Sequence, residues 1–302
     1  MKNFLRLMFL LLPVLVITGC TSAAISAEEY YSIGMAYFEL GKYEEAERWL
    51  SRAKSTNRTM IASQYNLGRL AFERQRYNEA AGYFEDILKR DHNNILALRA
   101  AAYTRIKTGE IDIAQKHYQK LLELVPENAD DGYNHALVLY AMGRYSGAEE
   151  ILEKYRTSLL EKSEVRLLYA RVQDAQNKTE AINSYSLWLS GNTDAKVRYE
   201  YGQALERNEY YARAAAEYRK ALTETSNREL TGIIRFALGA VLLVADRNSS
   251  EGITEVREAV NGGFNDLEAA EKLLTRQGIS PANIEIIRGI INDMKLAAET
   301  DN

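Results

Sequence analysis

Residues 30–50 read YYSIGMAYFELGKYEEAERWL, and 34 residues later residues 64–84 read QYNLGRLAFERQRYNEAAGYF. The two stretches share a small residue, an internal turn and an alanine at matching places. Ala46, Ala80, Ala114 and Ala148 stand 34 residues apart, and Ala181 and Ala214 follow at intervals of 33. Twelve residues before each alanine sit Gly34, Gly68, Ala102, Ala136, Tyr169 and Gly202. Four residues after it sit Leu50, Phe84, Tyr118, Leu152, Tyr185 and Tyr218. A fixed period in this range marks stacked helical hairpins. Two small residues let the helices of a hairpin approach closely, and a large apolar residue one turn on fills the space beside them. The expected fold is all-α, an array of about six to seven helical hairpins over residues 27–260.

The pattern resembles the tetratricopeptide repeat, whose signature runs Trp-x2-Leu-Gly-x2-Tyr, then Ala-x3-Phe, then Pro. The first repeat supplies Tyr30, Ile33, Gly34, Tyr37, Ala46 and Leu50. The second supplies Leu67, Gly68, Ala80 and Phe84, and the third supplies Ala114, Tyr118 and Pro126. The inter-helix turn recurs in phase at Gly41, Gln75, Gly109 and Gly143. This resemblance implies that the hairpins wind into a right-handed superhelical array. The fifth repeat departs from the pattern. With Tyr169 at the small position, a bulky ring must open the hairpin or turn outward, so a break or curvature change is expected near residues 156–175. A seventh repeat around Leu238, Gly239 and Val256 has its second helix out of phase by about one residue.

The chain has 302 residues, 46% hydrophobic and 26% charged, with only three prolines, which suits long uninterrupted helices. Its formal net charge is -4. A mildly acidic surface repels phosphate backbones, so nucleic acid is not an expected partner. Lys2 and Arg6 precede an apolar run from Leu7 to Ile17, too short for a comfortable membrane span. It reads as a signal peptide over residues 1–19. Ile17-Thr18-Gly19-Cys20 resembles the lipobox of bacterial lipoproteins, and Cys20 is the single cysteine. That resemblance implies a diacylglyceryl group on Cys20, cleavage before it, and a tether over residues 20–26. The localisation it implies is the envelope, facing the periplasm. Thr21 in place of an aspartate favours the outer membrane over the inner.

Residues 261–302 read as a helical cap. Asp266 to Arg276 has a helical pattern, and Ser280 with Pro281 opens a second helix. Ile284, Ile287, Ile291 and Met294 fall on one face of it, suited to covering the last hairpin or to docking a partner.

Catalytic motifs are absent from the sequence: no Walker-type loop, HExxH, paired cysteines or nucleophile elbow. His92, His117 and His135 lie in different repeats without metal-ligand spacing. Neither enzyme activity, metal nor cofactor is expected. The informative residues are those the hairpin core does not use. In tetratricopeptide proteins the second, fifth, ninth and twelfth repeat positions line a concave groove. By that resemblance the groove here holds Tyr31, Tyr65, Arg99, Tyr133, Arg166, Tyr199 and Phe236 at the fifth position. Met35, Arg69, Tyr103 and Leu137 stand at the ninth, and Phe38, Phe72, Ile106 and Tyr140 at the twelfth. Tyrosine and arginine are enriched at binding hot spots. The chaperone-type carboxylate clamp needs Lys and Asn where Tyr31 and Met35 stand, and only Asn66 matches, so apolar and aromatic segments fit better.

The expected function is a lipid-anchored scaffold that binds a protein or peptide partner through this groove, in outer-membrane, secretin or pilus assembly. The alternatives are a self-assembling lipoprotein whose groove holds another copy, and an accessory subunit of a solute-uptake or cell-wall complex.

Overall fold

Ser26 opens the first described helix with a capping box: its hydroxyl accepts from the Glu29 amide, and the Glu29 carboxylate accepts from the Ser26 amide. The computed structural model describes residues 25–159 and 161–300. The expected signal peptide, Cys20 and most of the expected tether lie outside the described residues. The helices are α1 (Ala27–Glu39), α2 (Tyr43–Thr56), α3 (Ile61–Glu73), α4 (Tyr77–Leu88), α5 (Ile95–Lys107) and α6 (Ile111–Leu124). There follow α7 (Ala129–Ala141), α8 (Tyr145–Lys154), α9 (Arg156–Leu159), α10 (Ser163–Ala175), α11 (Ala181–Leu189) and α12 (Ala195–Arg207). The last are α13 (Tyr211–Glu224), α14 (Arg228–Ala245), α15 (Ser250–Asn261), α16 (Leu267–Leu274) and α17 (Pro281–Thr300). No strand occurs among the described residues.

The chain divides between Gly109 and Glu110 into two compact units. In the first, α1 pairs with α2 and α3 with α4, and α5 packs on α4. In the second, α7/α8, α10/α11, α12/α13 and α14/α15 form the successive hairpins, and α17 packs on α15 and α16. All six ladder alanines are fully buried. At Gly68 an added Cβ would stand 2.6 Å from the Phe84 ring, and at Gly202 it would stand 2.3 Å from the Tyr218 ring. Glycine is required there because the facing aromatic occupies the volume of a side chain.

The turns carry a second ladder. Gly41, Gln75, Gly109, Gly143 and Asn177 all have positive φ and stand 34 residues apart, followed by Glu209. Gln75 adopts φ 59° without the freedom of glycine. A left-handed residue with a Cβ costs about 1–2 kcal/mol, partly returned by its lower unfolded entropy. Gln75→Gly is therefore expected to stabilise the second hairpin by about 0.5 kcal/mol, read as a higher urea midpoint.

This ladder corrects the register of the fifth repeat. Asn177 keeps the 34-residue step, so the missing residue falls between Asn177 and Ala181, at the start of the second helix. The small position is Ala170, fully buried beside Ala181 and Tyr185, not Tyr169. Tyr169 turns toward the preceding hairpin instead, where its hydroxyl donates to Glu153. Burial, and then that hydrogen bond, push its phenol up to about 12.

At the C-terminal end, Asp266 caps α16 and the Ser280 hydroxyl accepts from the Asn283 amide at the start of α17. Ile287, Ile291 and Met294 are buried with Val256, Ala259 and Leu273. Ile284 is partly buried on the same cluster.

Candidate functional site

In the first unit the stripe forms one connected ledge on α1, α3 and α5. Tyr31 is half-buried, and its hydroxyl accepts from the Asn66 amide nitrogen at 3.1 Å. The same nitrogen donates to the Ala62 carbonyl, while Asn66 Oδ1 accepts from Arg69 at 3.0 Å. Asn66 is thus a spacer holding Tyr31 and Arg69. All three of its contacts are internal, so it is not poised for a carboxylate. The Arg69 guanidinium lies 4.9 Å over the Phe38 ring, a cation–π contact that leaves its outer face to solvent. Met35 is half-buried beside Tyr31 and Phe38 on the same core cluster.

Phe72 links the next pair of helices, with its ring 5.3 Å from Tyr103 and 5.1 Å from Tyr77. Tyr103 is 48% exposed, a large fraction for an aromatic ring on a helix that packs on α4. Arg69, Phe72, Phe84 and Tyr103 wall a small cleft of about 120 Å³. Tyr65 is half-buried with its ring tilted on Phe84, 5.5 Å away, so much of it serves the hairpin core. Arg99 is half-buried on α5, in line with Tyr65. A wider depression of about 840 Å³ lies off the stripe on α2, walled by Glu44, Glu47, Arg48, Trp49 and Arg52. It is an open, mixed-charge surface without convergent groups.

The second unit divides its stripe residues among different surroundings. Tyr133 and Tyr140 are half-buried on α7 and belong to one cluster with Tyr169. Burial pushes both phenols up, joined at Tyr133 by the Glu164 charge and opposed at both by Arg171. Arg171 itself crosses from α10 to Glu200 of α12 at 2.8 Å. Arg166 lies off the line: with the register reset by Ala170, Leu167 stands level with Tyr133 and Tyr199. Tyr199 accepts from Gln203 through its hydroxyl, and its ring lies tilted against Tyr218 at 5.7 Å.

Phe236 is a clear correction. It is 8% exposed and stacked at 4.2 Å and 11° on Phe264. The segment after α15 returns over this face, and Arg276 pairs with Glu206 of α12 at 2.6 Å. The chain's own C-terminal segment therefore covers the stripe at the seventh repeat. It leaves a cleft of about 330 Å³ between Tyr199, Ile233, Phe236 and Phe264.

Sequence reasoning also missed a set of bridges between successive repeats. Glu47 pairs with Arg76 at 2.9 Å and Glu149 with Lys178 at 2.6 Å, both 29 residues apart. The two acids stand three periods apart, as do the two bases. A count of opposite charges at that offset would have found them.

Among the described residues no group of three or more His, Cys, Asp or Glu is placed to hold a metal. His135 is buried on α7, with its Nε2 3.5 Å from Gln115 and its Nδ1 unpaired. Burial lowers its pKa below the usual 6.5. The unfolded chain then binds the proton more readily, so the stabilisation is present above pH 6.5 and shrinks as pH falls below it. A thermal midpoint that drops on acidification through this window, with a smaller drop in His135→Gln, is the expected result.

Three family models described as tetratricopeptide repeat match residues 27–59, 62–92 and 99–159. The chain carries tetratricopeptide repeats. These matches span α1/α2, α3/α4 and the stretch from α5 to α9. A tetratricopeptide protein from Parabacteroides merdae shares the fold, with a TM-score of 0.59 at 21% identity over 83% of this chain and 99% of that one. YrrB, described as a tetratricopeptide protein with an unusual peptide-binding site, gives a TM-score of 0.53 at 15% identity over 63% of this chain and 96% of that one. A Treponema pallidum protein described as an uncharacterized lipoprotein is 29% identical over 147 residues, 49% of this chain and 75% of the relative. No described helix is long and apolar enough to cross a membrane. Tetratricopeptide repeats are typically scaffolds for protein–protein interaction.

Proposed function

We propose that this chain is a lipid-anchored envelope scaffold that holds a protein partner on the tyrosine–arginine ledge of its first unit. The single observation that carries the reading is the ledge itself: Tyr103 stands half in solvent on Phe72, and Arg69 caps Phe38 beside it. These groups offer ring faces and a guanidinium to a partner segment, while their positions are fixed from behind by Asn66 and Tyr77. A bound segment presents apolar or aromatic side chains, since Asn66 is already engaged and the carboxylate-clamp residues are missing. YrrB, a protein of like fold, is described as having an unusual peptide-binding site, which supports a peptide segment as the occupant. The lipobox at Cys20 and the lipoprotein description of the Treponema relative support attachment to the envelope. Assembly of outer-membrane, secretin or pilus components is the work such a tethered scaffold would serve.

A photo-crosslinking residue placed at Tyr103, and separately at Arg69, is expected to trap a discrete protein in cells. Tyr103→Ala should weaken capture of that protein by roughly tenfold, the effect of losing a moderate hot spot. Absence of any adduct from both positions in a folded protein would overturn the reading.

A further inference from the structure

Each hairpin after the first buries one flank of its leading helix against the hairpin before it. Leu67 of α3 is 2% exposed in one cluster with Ala46 and Leu50 of the hairpin before it, and Ala71 is fully buried; Gln64, equally buried, donates to the Tyr83 carbonyl of its own hairpin, and Leu98 and Ala101 of α5 are likewise buried. The residues at the same places in α1, the first described helix, are Tyr30, Ile33 and Tyr37, and all three stay half-exposed. An end repeat ordinarily closes an array with a polar outer face. The outer face of the first described hairpin is instead more aromatic than the faces it parallels. Tyr30 stacks on Trp49 of α2 at 5.8 Å and 27°, and Arg52 lies 4.9 Å over the indole. Ile25 is 45% exposed beside Ile33, at the rim of a shallow depression of about 440 Å³.

We infer that this flank of the first hairpin, centred on Tyr30, Ile33 and Trp49, lies on the lipid surface and sits at the headgroup level. The inference rests on the lipid-anchored reading above. Six residues separate Cys20 from Ala27, seven steps with a reach of at most about 25 Å, so an anchor at Cys20 keeps this flank next to the bilayer. Amphipathic Trp and Tyr rings favour the membrane interface, and Arg48 and Arg52 can meet phosphates there. Glu28, Glu44 and Glu45 share the same hairpin. The contact is therefore carried by aromatic burial more than by net charge, and it should persist in salt that screens exposed charges.

The test uses the full lipidated protein in vesicles of phosphatidylethanolamine and phosphatidylglycerol containing brominated phosphatidylcholine. The chain has two tryptophans, and Trp188 is buried with its indole N–H donating to the Ser163 carbonyl, so it serves as a reference. The expected result is quenching of fluorescence by the brominated lipid that is lost in Trp49→Phe and persists at high salt. Equal signals from wild type and Trp49→Phe, on protein that still floats with the vesicles, would overturn this inference and leave the anchor intact. Protein that neither floats nor carries lipid on Cys20 would overturn both. A salt-resistant dimer of acyl-free protein that shields Trp49 would assign the flank to a second copy and also overturn it.

Discussion

Tyr218→Ala is expected to destabilise the hairpin of α12 and α13 by about 3–5 kcal/mol, the range for removing a large buried aromatic side chain. Tyr218 has no exposed surface. Its ring fills the space opened by Gly202, where an added Cβ would lie 2.3 Å from the ring edge. Its hydroxyl donates to Glu206 at 2.8 Å, and the Tyr199 ring packs tilted against it at 5.7 Å. Burial and the charge of Glu206 both push the phenol far up, so the ring stays neutral. Truncation leaves a cavity between two helices that are tied at many other points and cannot collapse fully. Gly202→Ala approaches the same contact from the other side. Overpacking costs about 1–3 kcal/mol, less up to about 1 kcal/mol of helix propensity gained over glycine. The decisive measurement is the double cycle with Tyr218→Leu. If ring and glycine are one packing unit, Gly202→Ala costs much less in the Tyr218→Leu background. Strict additivity would mean the ring moves aside freely. Because repeat arrays open locally, the readout is amide exchange within α12 and α13.

The hairpins were legible because helix packing imposes the same contact at each repeat, so Ala46 and its successors recur on a fixed step. The fifth repeat misled because the small position was counted back from Ala181, across the shortened segment. Extending the turn series from Gly143 by one period lands on Asn177, and asparagine tolerates the left-handed conformation. That signal would have placed Ala170 correctly and moved the stripe from Arg166 to Leu167.

The candidate ledge was only partly readable. Residue type and spacing select Tyr31, Arg69, Phe72 and Tyr103, and the structure brings them to one side of the first unit. Spacing does not reveal that Tyr65 leans on Phe84 or that Asn66 is consumed in holding its neighbours. The covering of Phe236 was beyond local pattern altogether. Phe264 lies outside the repeat, and its return onto α14 depends on where α15 ends, which no periodicity encodes.

Arg198→Met is expected to cost about 3 kcal/mol, because it strands two partly buried carboxylates. Arg198 on α12 reaches Glu217 at 2.8 Å and Glu224 at 2.7 Å on α13, and the side chains are only 12–17% exposed. With Glu224 the guanidinium makes two parallel bonds, a geometry lysine does not reproduce. Burial alone would raise the Glu217 pKa, but the hydrogen bonds from Lys220 and Arg198 outweigh it and hold the carboxyl below 4.5. That stabilisation is therefore present above pH 4.5 and lost as pH falls through the lowered value. The gap between wild type and Arg198→Met should be widest near neutral pH and close on acidification, since protonated carboxyls no longer need the partner. Adding Glu217→Gln and Glu224→Gln to Arg198→Met should recover much of the loss, because neutral amides remove the stranded charge. A loss under about 1 kcal/mol would place the cluster among solvated surface pairs, and a gap unchanged by pH would show that Arg198 acts through packing of its stem.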